Sequence, residues 1–280
     1  MFVNIKDELN KMGINNFSYQ VIQEKDTIEV SRIFCKNESY VLKLFHSKKY
    51  IKELYYYDIL QKLDIPTLKI ISRTNCSFLL EDIENSDYRL CTIEDYKNPQ
   101  YVQEIAKWFK ILHNNGKNAD FSLFGNDLAD FTKERLLFIK SNFDVNNSTI
   151  DFYISNYEKI MEVINTFPLT ILHNDCGYNN SVIKKDGSEA IMFDYNYTVC
   201  GNAYSEIREF ILNFDNEMKD LFLFEYGEVN KREKKLYDVL HILLKLIMNF
   251  NDYGMCQDVE WCVNTLNSEE YYLNLRNLFS

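Results

Sequence analysis

The chain has 280 residues, 46% hydrophobic and 26% charged, ordinary proportions for a soluble globular protein and enough for two modest domains or one large one. A net charge of −11 sets most of the surface against a polyanion and excludes wholesale nucleic-acid binding. The start Met-Phe-Val-Asn-Ile-Lys-Asp-Glu lacks the pattern of a signal peptide, and the most apolar segment, His241 to Phe250, is too short and too interrupted by Lys245 to span a bilayer, so a cytoplasmic protein without a membrane partner is expected.

In chain order, the first forty-odd residues read as strands. Phe17, Tyr19 and Val21 alternate, followed by Ile28 and Val30, then by Tyr40 to Phe45, with polar breaks at Gln23–Thr27 and Lys36–Ser39. A helix is predicted over 47–63, with Ile51, Leu54, Tyr55, Ile59 and Leu63 on one face, ended by Asp64-Ile-Pro66. Short strands follow near 68–72 and 77–80. From about residue 100 the pattern turns helical: Val102, Ile105, Ala106, Phe109, Leu112 and His113 form a stripe that stops at Asn115-Gly116. Further helices are predicted near 130–141, 151–166, 203–213, 231–250 and 257–278. One β-like island interrupts them: Leu169–Leu172, then Ser181–Lys184 and Ala190–Phe193 joined by Lys185-Asp186-Gly187, a hairpin signal. The 20 Tyr and 20 Phe reflect a composition bias, and the seven scattered cysteines lack metal-site or redox spacing, which predicts reduced thiols in a cytosol.

Chemistry concentrates in Ile171-Leu-His173-Asn-Asp175-Cys-Gly-Tyr-Asn-Asn180-Ser-Val-Ile. A buried strand delivers a carboxylate, Asp175, to a loop, and the carboxamide of Asn180 follows five residues later. A second carboxylate, Asp194, closes the next hairpin strand in Ile191-Met-Phe-Asp194-Tyr. Phosphoryl transfer needs such a set, one carboxylate beside an acceptor hydroxyl and oxygen ligands for Mg2+ on the phosphates. Mg2+ is a hard ion, so Asp and Asn suit it and Cys176 does not. Each residue also has an ordinary reading, His173 as a histidine shaping the loop and Asp175 and Asn180 as polar loop caps.

The segment resembles the catalytic loop of the aminoglycoside phosphotransferase and choline kinase group, relatives of the protein kinases. That resemblance implies an α+β, protein-kinase-like two-lobed fold, with a small β-rich N-terminal lobe (1–82) and a larger, mostly helical C-terminal lobe (83–280). It implies Asp175 as catalytic base, Asn180 and Asp194 as Mg2+ ligands, and His173 as support for the loop. Lys43, in Tyr40-Val-Leu-Lys-Leu, resembles the lysine that binds the nucleotide's α- and β-phosphates, and Glu53 resembles its ion-pair partner. Phe78-Leu-Leu-Glu81-Asp82-Ile83 resembles the hinge whose backbone pairs with the base; its side chains do not separate ATP from GTP. His113 is expected to be structural. Gly201-Asn-Ala-Tyr-Ser-Glu206 resembles the segment after the metal-binding Asp, where the family has Asp; Glu206 is expected to brace the catalytic loop. One departure stands out: no glycine-rich loop joins the first two strands, and the candidate turn, Gln23-Glu-Lys-Asp-Thr27, carries two acidic side chains that disfavour a polyanion.

The resemblance therefore implies transfer of the γ-phosphoryl group of ATP, with GTP possible, to a hydroxyl of a small cationic acceptor such as an aminoglycoside. A choline, ethanolamine or sugar kinase is the alternative, and a pseudokinase-like binding protein is the rival from another class. Acidic acceptor-site candidates are Asp215, Glu217, Glu225, Glu228, Asp258, Glu260, Glu269 and Glu270, each also readable as a solvated helix face. Trp261, Tyr271 and Tyr272 could cage an amine or pack in the core. Oligomeric state leaves no readable mark.

Overall fold

The computed structural model describes residues 4–25, 27–252 and 259–279; Asp26, Cys256 and Asp258 lie outside the described residues. The elements run α1 (Ile5–Lys11), β1 (Ser18–Lys25), β2 (Ile28–Cys35), β3 (Glu38–Phe45), α2 (Lys52–Lys62), β4 (Ile70–Arg73), β5 (Ser77–Glu81) and β6 (Tyr88–Leu90). Then come α3 (Pro99–Gly116), β7 (Gly125–Asn126), α4 (Lys133–Asn142), α5 (Asn147–Ser155), α6 (Tyr157–Ile164), β8 (Leu169–Leu172), β9 (Ser181–Lys184), β10 (Ala190–Met192) and β11 (Val199–Asn202). The chain closes with α7 (Ala203–Phe210), α8 (Asn216–Tyr226), α9 (Lys231–Asp252), α10 (Val259–Leu266) and α11 (Glu269–Phe279). The architecture is α+β: an antiparallel sheet dominates the N-terminal region and helices the C-terminal region. Among the described residues no helix is long and apolar enough to cross a membrane.

The chain divides into two compact units, one of Met1–Leu123, His173–Thr198 and Phe210–Gly227, the other of Phe124–Leu172, Val199–Glu209 and Glu228–Ser280. The first holds a five-stranded sheet in the order β1-β2-β3-β5-β4. Pairing of Val30 with Lys43 and of Lys43 with Phe78 places these residues on one face, with Arg32, Val41 and Leu80. Since side chains alternate between faces, Ile33, Leu42, Leu44 and Leu79 point the other way, where Ile5 and Leu9 of α1 cover them. The expectation of strands from the start misses α1. Seven residues with two core positions are too short to show a helical period, although Asn4 caps the helix by accepting from the Asp7 amide.

At the sheet edge, β1 is exposed along its whole length, so the alternation of Tyr19 and Val21, 45% and 43% exposed, marks a strand but no buried face. The sequence also left β7 and three longer elements unassigned. Strand β6 joins the predicted hairpin in a β10-β9-β6 sheet. Helix α8, capped by Asp215, packs on α3, with the Phe109 and Phe222 rings 5.8 Å apart. The third, β11, pairs with β8 and β7 in the second unit. There, the single helices predicted over 151–166 and 257–278 are each two. The first pair meets at Asn156, whose amide donates to the Phe152 carbonyl. The second breaks before Ser268, whose hydroxyl caps α11 at the Tyr271 amide.

Candidate active site

The loop after β8 is built around His173, which is fully buried. Its Nε2 lies 2.9 Å from the Phe193 carbonyl, and its Nδ1 accepts from the Asp175 amide at 3.3 Å. Those partners require the proton on Nε2, because a carbonyl only accepts and an amide only donates. Rings of Tyr195 and Trp108 flank the imidazole at 5.1 and 6.1 Å. Next, Asn174 takes φ 63°, left-handed geometry that Asn tolerates better than most side chains. The loop then turns so that Asn180 Nδ2 donates to both the carbonyl (2.9 Å) and the carboxylate Oδ2 (2.8 Å) of Asp175. Asp175 and Asn180 are thus oriented by each other.

Asp194 also sits in left-handed geometry, φ 66° and ψ 71°. Such strain in a non-glycine residue costs of order 1–3 kcal/mol and persists where surroundings hold it. Here the holding group is Lys43, whose Nζ lies 2.7 Å from Asp194 Oδ1 and 2.7 Å from Glu53 Oε2. The other Glu53 oxygen accepts the Tyr195 amide at 3.2 Å, which ties α2 to the residue after Asp194. Burial works to neutralise the Lys43 ammonium, but Glu53 and Asp194 outweigh it and hold its pKa above the ordinary lysine value. Burial also pushes the Glu53 carboxyl up, against the pull of Lys43.

The residues read as a hinge use their side chains internally. Glu81 accepts the Lys69 amide at 2.7 Å. Asp82, buried, accepts Ser39 Oγ at 2.5 Å and pairs with Arg32 Nε at 2.8 Å, and it caps the short turn that Ile83 begins. The guanidinium also reaches Glu84 at 2.8 Å. Arg32 escaped sequence reasoning, since one arginine in an alternating strand carries no signal of its partner fifty residues on. His113 packs between α3 and α8, with Nδ1 3.0 Å from the Tyr226 hydroxyl.

One expectation changes shape. The turn read as Gln23–Thr27 is shorter, because Gln23, Glu24 and Lys25 pair with Val30, Glu29 and Ile28 as the end of β1. Glu206 lies on α7 in the second unit, near Asp127. Burial raises the Asp127 carboxyl to about 6 against the hydrogen bond donated by Ser205, with Glu206 adding to the rise. Nothing in the pattern around Gly125-Asn-Asp127 had marked that carboxylate. Of the aromatic residues considered for an amine cage, Tyr271 is turned into the core, bonded to Tyr153 and the Val239 carbonyl. Trp261 carries Lys245 over its ring, and Tyr272 carries Arg276.

Could the loop hold Mg2+? Among the described residues no cluster of three His, Cys, Asp or Glu side chains forms a metal cage. Mg2+ does not need one, since it binds through one or two carboxylates plus substrate phosphates and water. The donors fit. Asn180 uses its amide nitrogen on Asp175, its oxygen accepts a long 3.3 Å bond from Asn179 Nδ2 and keeps a second lone pair for a cation, and Lys43 contacts one Asp194 oxygen on a side chain 35% exposed.

No protein-family model and no curated protein matches the sequence. Solved structures do. A choline/ethanolamine kinase family protein from Mesorhizobium loti is 15% identical with a TM-score of 0.63, over 93% of this chain and 92% of that one. The Plasmodium vivax ethanolamine kinase is 16% identical with a TM-score of 0.60, over 98% and 85%. A spectinomycin phosphotransferase bound to ADP and spectinomycin is 14% identical with a TM-score of 0.56, over 97% and 92%. At such identities the likeness establishes the fold: the chain has the protein-kinase-like fold of these proteins.

Proposed function

We propose that the chain is a kinase that transfers the γ-phosphoryl group of a nucleoside triphosphate to a hydroxyl of a small acceptor. The observation that carries this reading is the contact of Lys43 with both Glu53 and Asp194, 2.7 Å each, beside a loop that pairs Asp175 with Asn180. Residues 1–82 would hold the nucleotide and residues 83–280 the catalytic loop and the acceptor. The base would lie on the sheet face that carries Val30, Val41 and Leu80, against the backbone of Glu81 to Ile83. Lys43, held by Glu53, would then meet the α- and β-phosphates. Bound Mg2+ would neutralise phosphate charge, with Asn180 and Asp194 as its protein ligands.

Asp175 would accept the acceptor's proton as its oxygen attacks in line, with Asn180 Nδ2 fixing the carboxylate and His173 fixing the loop. Catalysis of this kind is positioning and charge stabilisation. A cationic acceptor, whether an aminoglycoside, choline or ethanolamine, is supported by the neighbours in fold and by the acidic charge of the chain. The free thiols of Cys35, Cys76, Cys91 and Cys200 suit a cytosolic enzyme. One observation favours the rival reading as a pseudokinase-like binding protein: β1 and β2 pair as far as Lys25 and Ile28, which leaves little backbone between them to cover phosphates.

Asp175→Asn separates the two. As a general base Asp175 is worth about 100- to 10,000-fold in turnover, so the variant should lose that much while binding Mg-nucleotide as the wild type does. Full turnover in the variant would remove Asp175 from the chemistry.

A further inference from the structure

Resting on the phosphoryl-transfer reading, we propose that Asn196 is a positioning residue of the cation site, which holds Asp194 in the orientation that presents it to the metal. Its Nδ2 donates to Asp194 Oδ1 at 2.5 Å, the same oxygen that Lys43 contacts at 2.7 Å. Two donors on one carboxylate oxygen leave the other to a cation. The amide must face this way, because the reverse orientation would set its oxygen against a carboxylate, acceptor against acceptor.

Asn196 Oδ1 is buried and has no hydrogen-bond partner. A folded protein satisfies nearly all such groups, and the exceptions gather where function uses them. Mg2+ keeps several waters when it binds. An amide oxygen two residues from a carboxylate ligand is of the right hardness to accept from them.

Lys43 and Asn196 are not equivalent holders. The Lys43 ammonium serves both Asp194 and the phosphates, so a nucleotide draws it away from Asp194 Oδ1. A neutral amide has no such pull, and it leaves the full negative charge of Asp194 for the cation. With Lys43 gone from Oδ1, the bond from Asn196 would keep the Asp194 side chain from turning. Partners of this kind, one bond removed from a metal, change metal affinity by about 10- to 100-fold when lost. The sequence hid the role: Asn196 lies between Tyr195 and Tyr197, in a short turn where Asn reads as an ordinary loop residue.

The test is a Mn2+ titration in the presence of ADP, read by electron spin resonance, on the wild type, Asn196→Ala and Asp194→Asn. Asn196→Ala should bind Mn2+ about 10- to 100-fold more weakly, with ADP affinity in chelator unchanged, and Asp194→Asn should bind more weakly still. Asn196→Ser, which keeps a shorter donor and an acceptor oxygen, should fall between the wild type and Ala; it also serves if Ala does not fold. A folded Asn196→Ala or Asn196→Ser with wild-type Mn2+ affinity overturns the inference while the kinase reading stands. A wild type that binds no Mn2+ with ADP overturns both.

Discussion

Arg32 shows how a side chain can matter to the segment proposed to meet the nucleotide base without lying in it. Its guanidinium meets Asp82, whose side chain is 1% exposed, and Glu84, which is 67% exposed. The two carboxylates are not worth the same. Solvent screens the pair with Glu84 to a small contribution, whereas Asp82 would be stranded if Arg32 lost its charge. Arg32→Met should therefore destabilise the fold by about 3 kcal/mol, and adding Asp82→Asn should recover most of it. Urea unfolding of the two single variants and the double one measures this. Simple addition of the two single losses would mean that Arg32 does not act through Asp82. At the same scale, Lys43, Glu53, Asp175, Asn180 and Asp194 stood out as candidates because their residue types, spacing and order suit one chemistry, and the structure sets Lys43 against Glu53 and Asp194, and Asn180 against Asp175. Arg32, Asn196 and Asp127 did not, since each takes its meaning from a partner that no periodicity announces.

Among elements, α1 joins the sheet through one buried acid. Glu8 accepts from Thr74 Oγ1, from Ser77 Oγ at 2.9 Å, from Cys76 Sγ at 3.3 Å and from Lys11 Nζ at 2.5 Å. Burial alone would raise the carboxyl, but these donors together hold its pKa below the ordinary value. A depressed carboxyl adds stability above its unfolded pKa and loses it as pH falls through the folded one. Glu8→Gln should thus cost about 2 kcal/mol near neutral pH, where charged hydrogen bonds are lost, and progressively less towards pH 3. Thermal melts of both proteins across that range test the sign; a gap that widens in acid would contradict it.

A second device runs through several elements. Rings of Phe45 and Phe78 lie 5.6 Å apart, Phe78 and Tyr57 5.2 Å, Tyr57 and Tyr195 4.9 Å, and Tyr195 and His173 5.1 Å. That run of tilted and edge-on rings links β3, β5 and α2 to the loop after β8, which gives the aromatic-rich composition a structural use that bias alone had seemed to explain. Strands and helices with long apolar periods, such as β3 and α3, were readable in advance. Short ones, such as α1, β6 and β11, depend on tertiary pairing and were not.

For the whole molecule, the order of parts along the chain spoke more clearly than any one part. A sheet, a helix, and later a strand, a loop and a hairpin follow one another in the order expected of the fold, and the chain shares its fold with the structural neighbours. The acceptor stayed hidden, because no local pattern in the sequence points to one acceptor class. Release of nucleoside diphosphate from Mg-ATP or Mg-GTP, across aminoglycosides, choline, ethanolamine and simple sugars, tests the central claim most directly. The account predicts release that depends on one acceptor class and disappears in Asp175→Asn. No acceptor-dependent release, in a protein that also fails to bind Mg-nucleotide, would contradict it.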